Sequence, residues 1–374
     1  MRNDGLNRLS IVRGMAALLI VMTHYSMAWT EGIIKNIGGG LTFCNYVFFI
    51  LSGFSIAYFH SEEHEKNGMN NMIRFFAKRF VRIFPLYWIC TLGYLFCDLI
   101  LGGVLLGHHD KSLINIIRSF LLFPSGILES YPSTLIPPAW FLSYVVFFYI
   151  IYGIARYIFG EKTFTIISRG WLFISLFSEI VRQAIVDQKI IETGMGGGIS
   201  CVIEFLFSQH FVAIMMGVEI AFVVRSTHTR NSIVGMNSLR NASIIIFALF
   251  YAVMVKNYSL KYNSIFAIVG FILPISLFLL WFICRSITIP PNKQVGRIGE
   301  FLLLCDKASY SLYLIHYFFV IIIMIISGKV GNYYVPLMVV GYPIIVAICL
   351  GFYWIIQRRI DKATSKLFAH FQET

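Results

Sequence analysis

Apolar runs of about 17 to 25 residues, separated by polar or basic connections, recur along the whole chain, with limits near 9–29, 41–59, 83–106, 139–159, 166–186, 201–224, 241–256, 263–284, 308–326 and 335–356. A run of that length crosses the hydrocarbon of a bilayer as an α-helix. The pattern therefore predicts an all-α, polytopic membrane protein with about ten transmembrane helices. A single domain over 1–374 is expected, without an additional soluble domain, and no internal repeat is visible. The fifth run is the weakest, because Ser168, Arg169, Glu179 and Arg182 interrupt it, and 241–256 is short. Two connections are long. The first, residues 60–82, is polar and then basic and aromatic at helical spacing, which suits an interfacial helix lying on anionic lipid. The second, 107–138, contains an apolar stretch from Leu113 to Phe123 too short to span and stops at Pro137-Pro138, as a lid or re-entrant element would. Pro274 and Pro343 fall inside runs and are expected to kink them.

Composition agrees with the pattern. The chain is 58% hydrophobic and 13% charged, with a mean hydropathy of +0.76, outside the range of soluble domains. Thirty Lys and Arg against 18 Asp and Glu give a net charge of +12, but the basic residues lie between spans, so topology explains them and nucleic-acid binding does not. They gather on the side of the N-terminus, in Lys66, Arg74, Lys78, Arg79 and Arg82 and again in Arg358, Arg359, Lys362 and Lys366. With an even number of spans, both termini are expected to be cytoplasmic. The first run, broken by Arg13, is too long for a cleaved signal peptide and is expected to stay in the mature protein. Seven scattered cysteines lack metal-ligand spacing, so no metal site is expected.

Polar groups inside the spans carry the candidate chemistry. The first, LSIVRGMAALLIVMTHYSMAW, holds Arg13 and His24. An arginine at the centre of a membrane helix costs roughly 2.5 to 3.5 kcal/mol and normally faces a protein interior or a wet cavity. Eleven positions of helix put the two residues within about 20° of one face and ~16 Å apart. The plain alternative has Arg13 snorkelling to headgroups and His24 in interfacial water. Arg79 and Arg82 form an RxxR where the third run begins and, with Arg13, could gather at one leaflet to hold phosphates, although positive-inside anchoring also accounts for them. In the ninth run Ser309, Tyr313 and His316 share a face, with Asp306 one turn before, and line either a cavity or a helix contact. Trp140 and Ser143 stand at the outer start of the fourth, where an aromatic belt is the ordinary explanation. Ser52-Gly53 would let a neighbouring backbone approach closely. Asp98 and Glu204 also look buried, and Glu179 is expected to pair with Arg182, and Glu219 with Arg225.

Taken in order, LSIVRGMAALLIVMTH, FFILSGF, RFVRIFPLYW, AWFLSYVVFFY and SYSLYLIH resemble the membrane acyltransferase 3 family, the bacterial acylases that modify O-antigen, exopolysaccharide and nodulation-factor glycans. The resemblance covers nearly the whole chain. It implies a multi-pass enzyme of the bacterial inner membrane that moves an acyl group, usually acetyl from acetyl-CoA, to a carbohydrate hydroxyl. No cofactor would be bound permanently; the partners would be acyl-CoA, a glycan or lipid-linked oligosaccharide acceptor, and membrane lipid. The family's functional first-span Arg and His and its RxxR arginines match Arg13, His24, Arg79 and Arg82.

One position departs from the family. Many members read WxLSxE in the fourth span, where this chain has Val145, so either another group such as Glu204 substitutes or the carboxylate is dispensable. The expected mechanism has Arg13, Arg79 and Arg82 on the donor phosphates and His24 either as general base or as carrier of the acyl group. Arg13 counts as catalytic with His24, while Ser309, Tyr313, His316, Trp140 and Ser143 belong to the acceptor cavity. Two rivals use the same polar stripes: a transporter or flippase for a lipid-linked sugar or anion, and a non-catalytic partner of a glycan synthase.

Overall fold

A computed structural model describes residues 4–26, 33–61, 68–103, 111–123, 134–186, 205–258, 260, 263–288, 295–330 and 334–373. Among them there is no strand, and each of the ten apolar runs has a helical counterpart. The chain opens with α1 (Asp4–Ser26); α2 (Ile33–Gly40) leads through a 3₁₀ turn at Leu41–Phe43 into α3 (Cys44–Phe59). The next helix, α4 (Met69–Ile100), corrects the reading of 60–82, because its basic, aromatic stretch is one continuous helix with the third span. Met69 to Phe84 contains no glycine, and the helix runs on through Pro85, which lacks the N–H for its ladder bond. The start is set by Gly68, whose φ of +131° favours glycine and whose N–H donates to the Tyr157 carbonyl at 3.1 Å.

The apolar stretch in the second long connection is α5 (Leu113–Phe120), capped by Ser112, which accepts from the Asn115 N–H. Tyr87 donates to the Ser119 carbonyl at 2.7 Å and Trp88 to that of Phe120 at 2.8 Å, so α5 is bound along α4. A 3₁₀ turn at Pro137–Ala139 starts α6 (Trp140–Phe159), followed by α7 (Glu161–Val186), α8 (Gln209–Arg225), α9 (Thr227–Val234) and α10 (Asn237–Lys256). Then come α11 (Ser264–Ala267), a π turn at Ile268–Ile272 and α12 (Leu273–Thr288). Pro274 has no N–H to offer the preceding turn, and the backbone there takes the wider π register. The chain closes with α13 (Arg297–Lys307), α14 (Ser309–Val330), α15 (Tyr334–Phe352), a second π turn at Tyr353–Gln357, and α16 (Arg358–Glu373).

Among the described residues eight stretches are long and apolar enough to cross a membrane, and ten are when two bent pairs each count as one span. The bends are 102° between α8 and α9 and 79° between α13 and α14. Large apolar side chains on the outer helices face away from the protein, among them Leu99, Phe173 and Leu249, which suits lipid contact.

At the centre α3 packs backbone to backbone on α8. A Cβ at Gly53 would collide with the Ile214 carbonyl oxygen, and one at Gly217 with that of Ile50. The Ser52-Gly53 expectation is met by this reciprocal contact. Gly217→Leu is therefore expected to cost about 1–3 kcal/mol through overpacking and to lower the melting temperature in detergent. Gly93→Leu, where nothing lies within 4 Å of the added Cβ, should leave it nearly unchanged.

Two ion pairs differ from expectation. Glu219 meets Arg169 of α7 (Nε to Oε1 3.2 Å), and Arg225 bonds Glu161 and the Ala57 carbonyl. Six helical positions turn a side chain to about 120° from its starting face, which separates Glu219 from Arg225. Glu179 accepts from the Gln209 N–H at 2.8 Å and so secures the start of α8. The side chain of Arg182 and all of Glu204 lie outside the described residues.

Candidate active site

A cavity of about 1580 Å³ lies among α1, α3, α4, α6 and the α13–α16 region. Its lining on α3 runs from Asn45 to Phe59, which at ~1.5 Å per residue is ~21 Å, most of a bilayer's hydrocarbon. Among the described residues five basic side chains reach it, Arg13, Lys78, Arg79, Arg82 and Lys307, against two carboxylates, Asp306 and Asp361. The structure thus brings the three sequence-predicted arginines into one chamber, together with Ser309, Tyr313 and Val145.

Each arginine is held differently. Gly14 lets α1 approach α13 until a Cβ there would strike the Leu302 carbonyl oxygen. That closeness carries Arg13 onto Asp306, which accepts from both Nε and Nη2, the latter at 2.9 Å. The Asp306 side chain is 8% exposed and that of Arg13 34%. Asp306→Ala would leave a half-buried arginine uncompensated, at an expected cost of about 2 kcal/mol. Thermal unfolding should show the loss, and adding Arg13→Ala in the same chain should recover part of it.

Arg79 donates through Nη2 to His60 Nε2 at 2.6 Å, and its guanidinium lies 5.3 Å from the ring centres of both Phe75 and Tyr149. His60 is itself fixed, because Tyr152 donates to its carbonyl at 2.9 Å. Arg82 lies in the electrostatic field of Arg79, Arg13 and Asp361. Two groups near the second π turn complete this end. Gln357 accepts from the Ser311 N–H and hydroxyl at 3.1 and 2.5 Å, and donates to the Lys307 carbonyl at 3.2 Å and to Asp361 at 3.4 Å. It thereby ties the turn to the α13–α14 bend. Sequence reasoning missed His60, Tyr149, Gln357 and Asp361; the one signal was a glutamine ending the apolar run YWIIQ.

On α1 the lining ends at Ile20, one turn before His24. His24 Nδ1 is 3.1 Å from the Ile20 carbonyl oxygen and 3.1 Å from His316 Nε2, while His316 Nδ1 is 2.6 Å from the Leu312 carbonyl oxygen. The ring centres are 4.9 Å apart, and Tyr317 meets His24 edge-on at 5.5 Å. The two histidines therefore form a contiguous pair just beyond the lining. Trp140 and Ser143 are not part of that lining. Trp140 packs on Phe49, Tyr144 and His210, and Ser143 is fully buried with its Oγ unpartnered.

The family model described as an acyltransferase domain matches residues 6–354. The chain belongs to the membrane acyltransferase 3 family. No curated protein and no solved structure matches it. In this membrane acyltransferase the matched segment holds Arg13, His24, Arg79, Arg82 and the His316 pair, whereas Gln357 and Asp361 lie past its end.

Proposed function

We propose that this acyltransferase takes acetyl from cytoplasmic acetyl-CoA and delivers it to a hydroxyl of a cell-surface or lipid-linked carbohydrate at the bacterial inner membrane. The observation that carries the reading is one chamber, basic at one end and reaching within a helical turn of a histidine pair at the other. Its volume exceeds the ~300–1,000 Å³ of ordinary small-molecule pockets, as a nucleotide joined to a long flexible arm requires. Arg79 and Arg82 would take the phosphates, with Lys78 adding charge. Arg13, already neutralised by Asp306, would hold its place by that ion pair and offer its remaining N–H groups to the donor. The ~21 Å of lining suits the pantetheine arm, which would bring the thioester toward His24.

The chemistry at that end is acyl transfer from sulfur to oxygen. His24 removes the hydroxyl proton as the alkoxide oxygen attacks the thioester carbonyl; the C–S bond then breaks, and the proton passes to the departing thiolate, leaving an ester and free CoA. Tyr313, one turn before His316 on α14, is a lining hydroxyl placed to donate to the developing oxyanion, whereas Ser309, two turns away beside Lys307, lies toward the arginine end. A chamber this long would also suit transport, but membership of an acyltransferase family favours transfer. Incubating purified protein with labelled acetyl-CoA and candidate glycans tests the proposal: label on the glycan is expected, and donor binding without turnover on any acceptor would overturn it. Mass spectrometry of surface polysaccharide with and without the protein would then identify the acyl group.

A further inference from the structure

His24 and His316 stand in different surroundings although they touch. His316 has no exposed surface, and both of its ring nitrogens are engaged within the protein. His24 keeps partial exposure and uses only one nitrogen in the contacts described above. A carbonyl oxygen can only accept, so the 2.6 Å contact to Leu312 requires the hydrogen of neutral His316 to sit on Nδ1. Its Nε2 then carries a bare lone pair. That lone pair faces His24 Nδ1, which also lies against the Ile20 carbonyl, a second group that can only accept. Two acceptors converging on one nitrogen place the hydrogen of neutral His24 on Nδ1, leaving Nε2 unprotonated.

We propose that His316 is a positioning residue: the chain from the Leu312 carbonyl through the His316 ring to His24 Nδ1 holds His24 in the tautomer whose Nε2 can take a proton from the acceptor hydroxyl. The inference rests on the acyltransferase reading for its catalytic consequence, but the tautomer itself does not depend on it. In water an isolated imidazole exchanges its hydrogen between the two nitrogens, so a base that must present Nε2 needs its other nitrogen occupied by an acceptor. The Ile20 carbonyl offers one acceptor from His24's own helix, and His316 adds a second from the neighbouring α14, on a ring whose own hydrogen is fixed by the Leu312 carbonyl.

Two measurements test this separately. Nitrogen-15 NMR of histidine-labelled full-length protein in bilayers, with His24 assigned by difference from His24→Ala, should show a protonated Nδ1 and a bare Nε2. His316→Leu should move His24 toward the Nε2-protonated form. A wild-type His24 protonated on Nε2, or the same tautomer in both proteins, overturns the proposal whatever the enzyme's substrate. In the transfer assay His316→Leu should lower kcat about 100-fold with KM for acetyl-CoA within about twofold. His316→Gln, whose amide oxygen can accept at the Nε2 position, should recover at least about tenfold of that loss. A kcat within about threefold of wild type in His316→Leu, or equal activity in the Leu and Gln variants at matched protein level, overturns it. Absence of any transfer in the wild type would overturn the donor and acceptor reading, and the NMR arm would still decide the tautomer.

Discussion

Replacing His24 by alanine is expected to lower acyl transfer about a thousandfold while leaving KM for acetyl-CoA nearly unchanged. Positioned proton transfer contributes about 10²–10⁴-fold to such reactions, and among the described residues His24 is the partly exposed imidazole that lies one turn past the chamber at Ile20. An effect on kcat without one on KM is the signature of an interaction made only in the transition state. The substitution also leaves His316 Nε2 without its partner, so folding must be followed in parallel. His24→Gln is the useful companion, because its amide can donate to that nitrogen yet cannot serve as a base at neutral pH. Both variants should be well folded and inactive. Activity within about tenfold of wild type in either would remove His24 from the base role. A single-turnover reaction without acceptor separates the two forms of the mechanism: label retained on His24 indicates an acyl-histidine relay, and its absence indicates direct attack.

The second large effect is expected at Arg79, where alanine should raise KM for acetyl-CoA by about 10- to 100-fold, the equivalent of one charge-assisted contact to phosphate. The guanidinium is held between Phe75 and Tyr149 and anchored on His60, so it meets an incoming anion with little further loss of freedom. For the same reason Arg79→Lys should not restore binding, since an ammonium can neither lie between two rings in that way nor engage phosphate through two parallel N–H groups. Binding should weaken with added salt, and less steeply in Arg79→Ala. The contact to His60 also gives Arg79 a structural part, which is why the readout is KM against kcat at matched protein level. An unaltered KM would show that the phosphates bind elsewhere.

Much of the architecture is legible in the chain because a bilayer leaves few choices. Every run long enough to cross must close its hydrogen bonds internally, and all ten expected runs have helical counterparts. The boundaries were harder to read where a helix leaves the apolar zone. Nothing in the hydropathy of 60–82 says that Met69 to Arg82 continues unbroken through Pro85 into the third span, because helix geometry does not change where polarity does. Local spacing likewise misassigned Glu219, since a partner six positions along the same helix is on another face, whereas Arg169 on a neighbouring helix is within reach.

For the site, sequence alone marked Arg13, His24, Arg79, Arg82, Ser309, Tyr313 and His316, because ionisable and hydroxyl groups in apolar spans are costly enough to stand out. It could not say which of them meet. That Arg13 is neutralised by Asp306, that Arg79 is anchored on His60, and that His24 is joined to His316 follow from helices whose residues lie 293, 19 and 292 positions apart along the chain. Periodicity reports which face of a helix a residue occupies, and only the packing of helices against each other determines what that face touches.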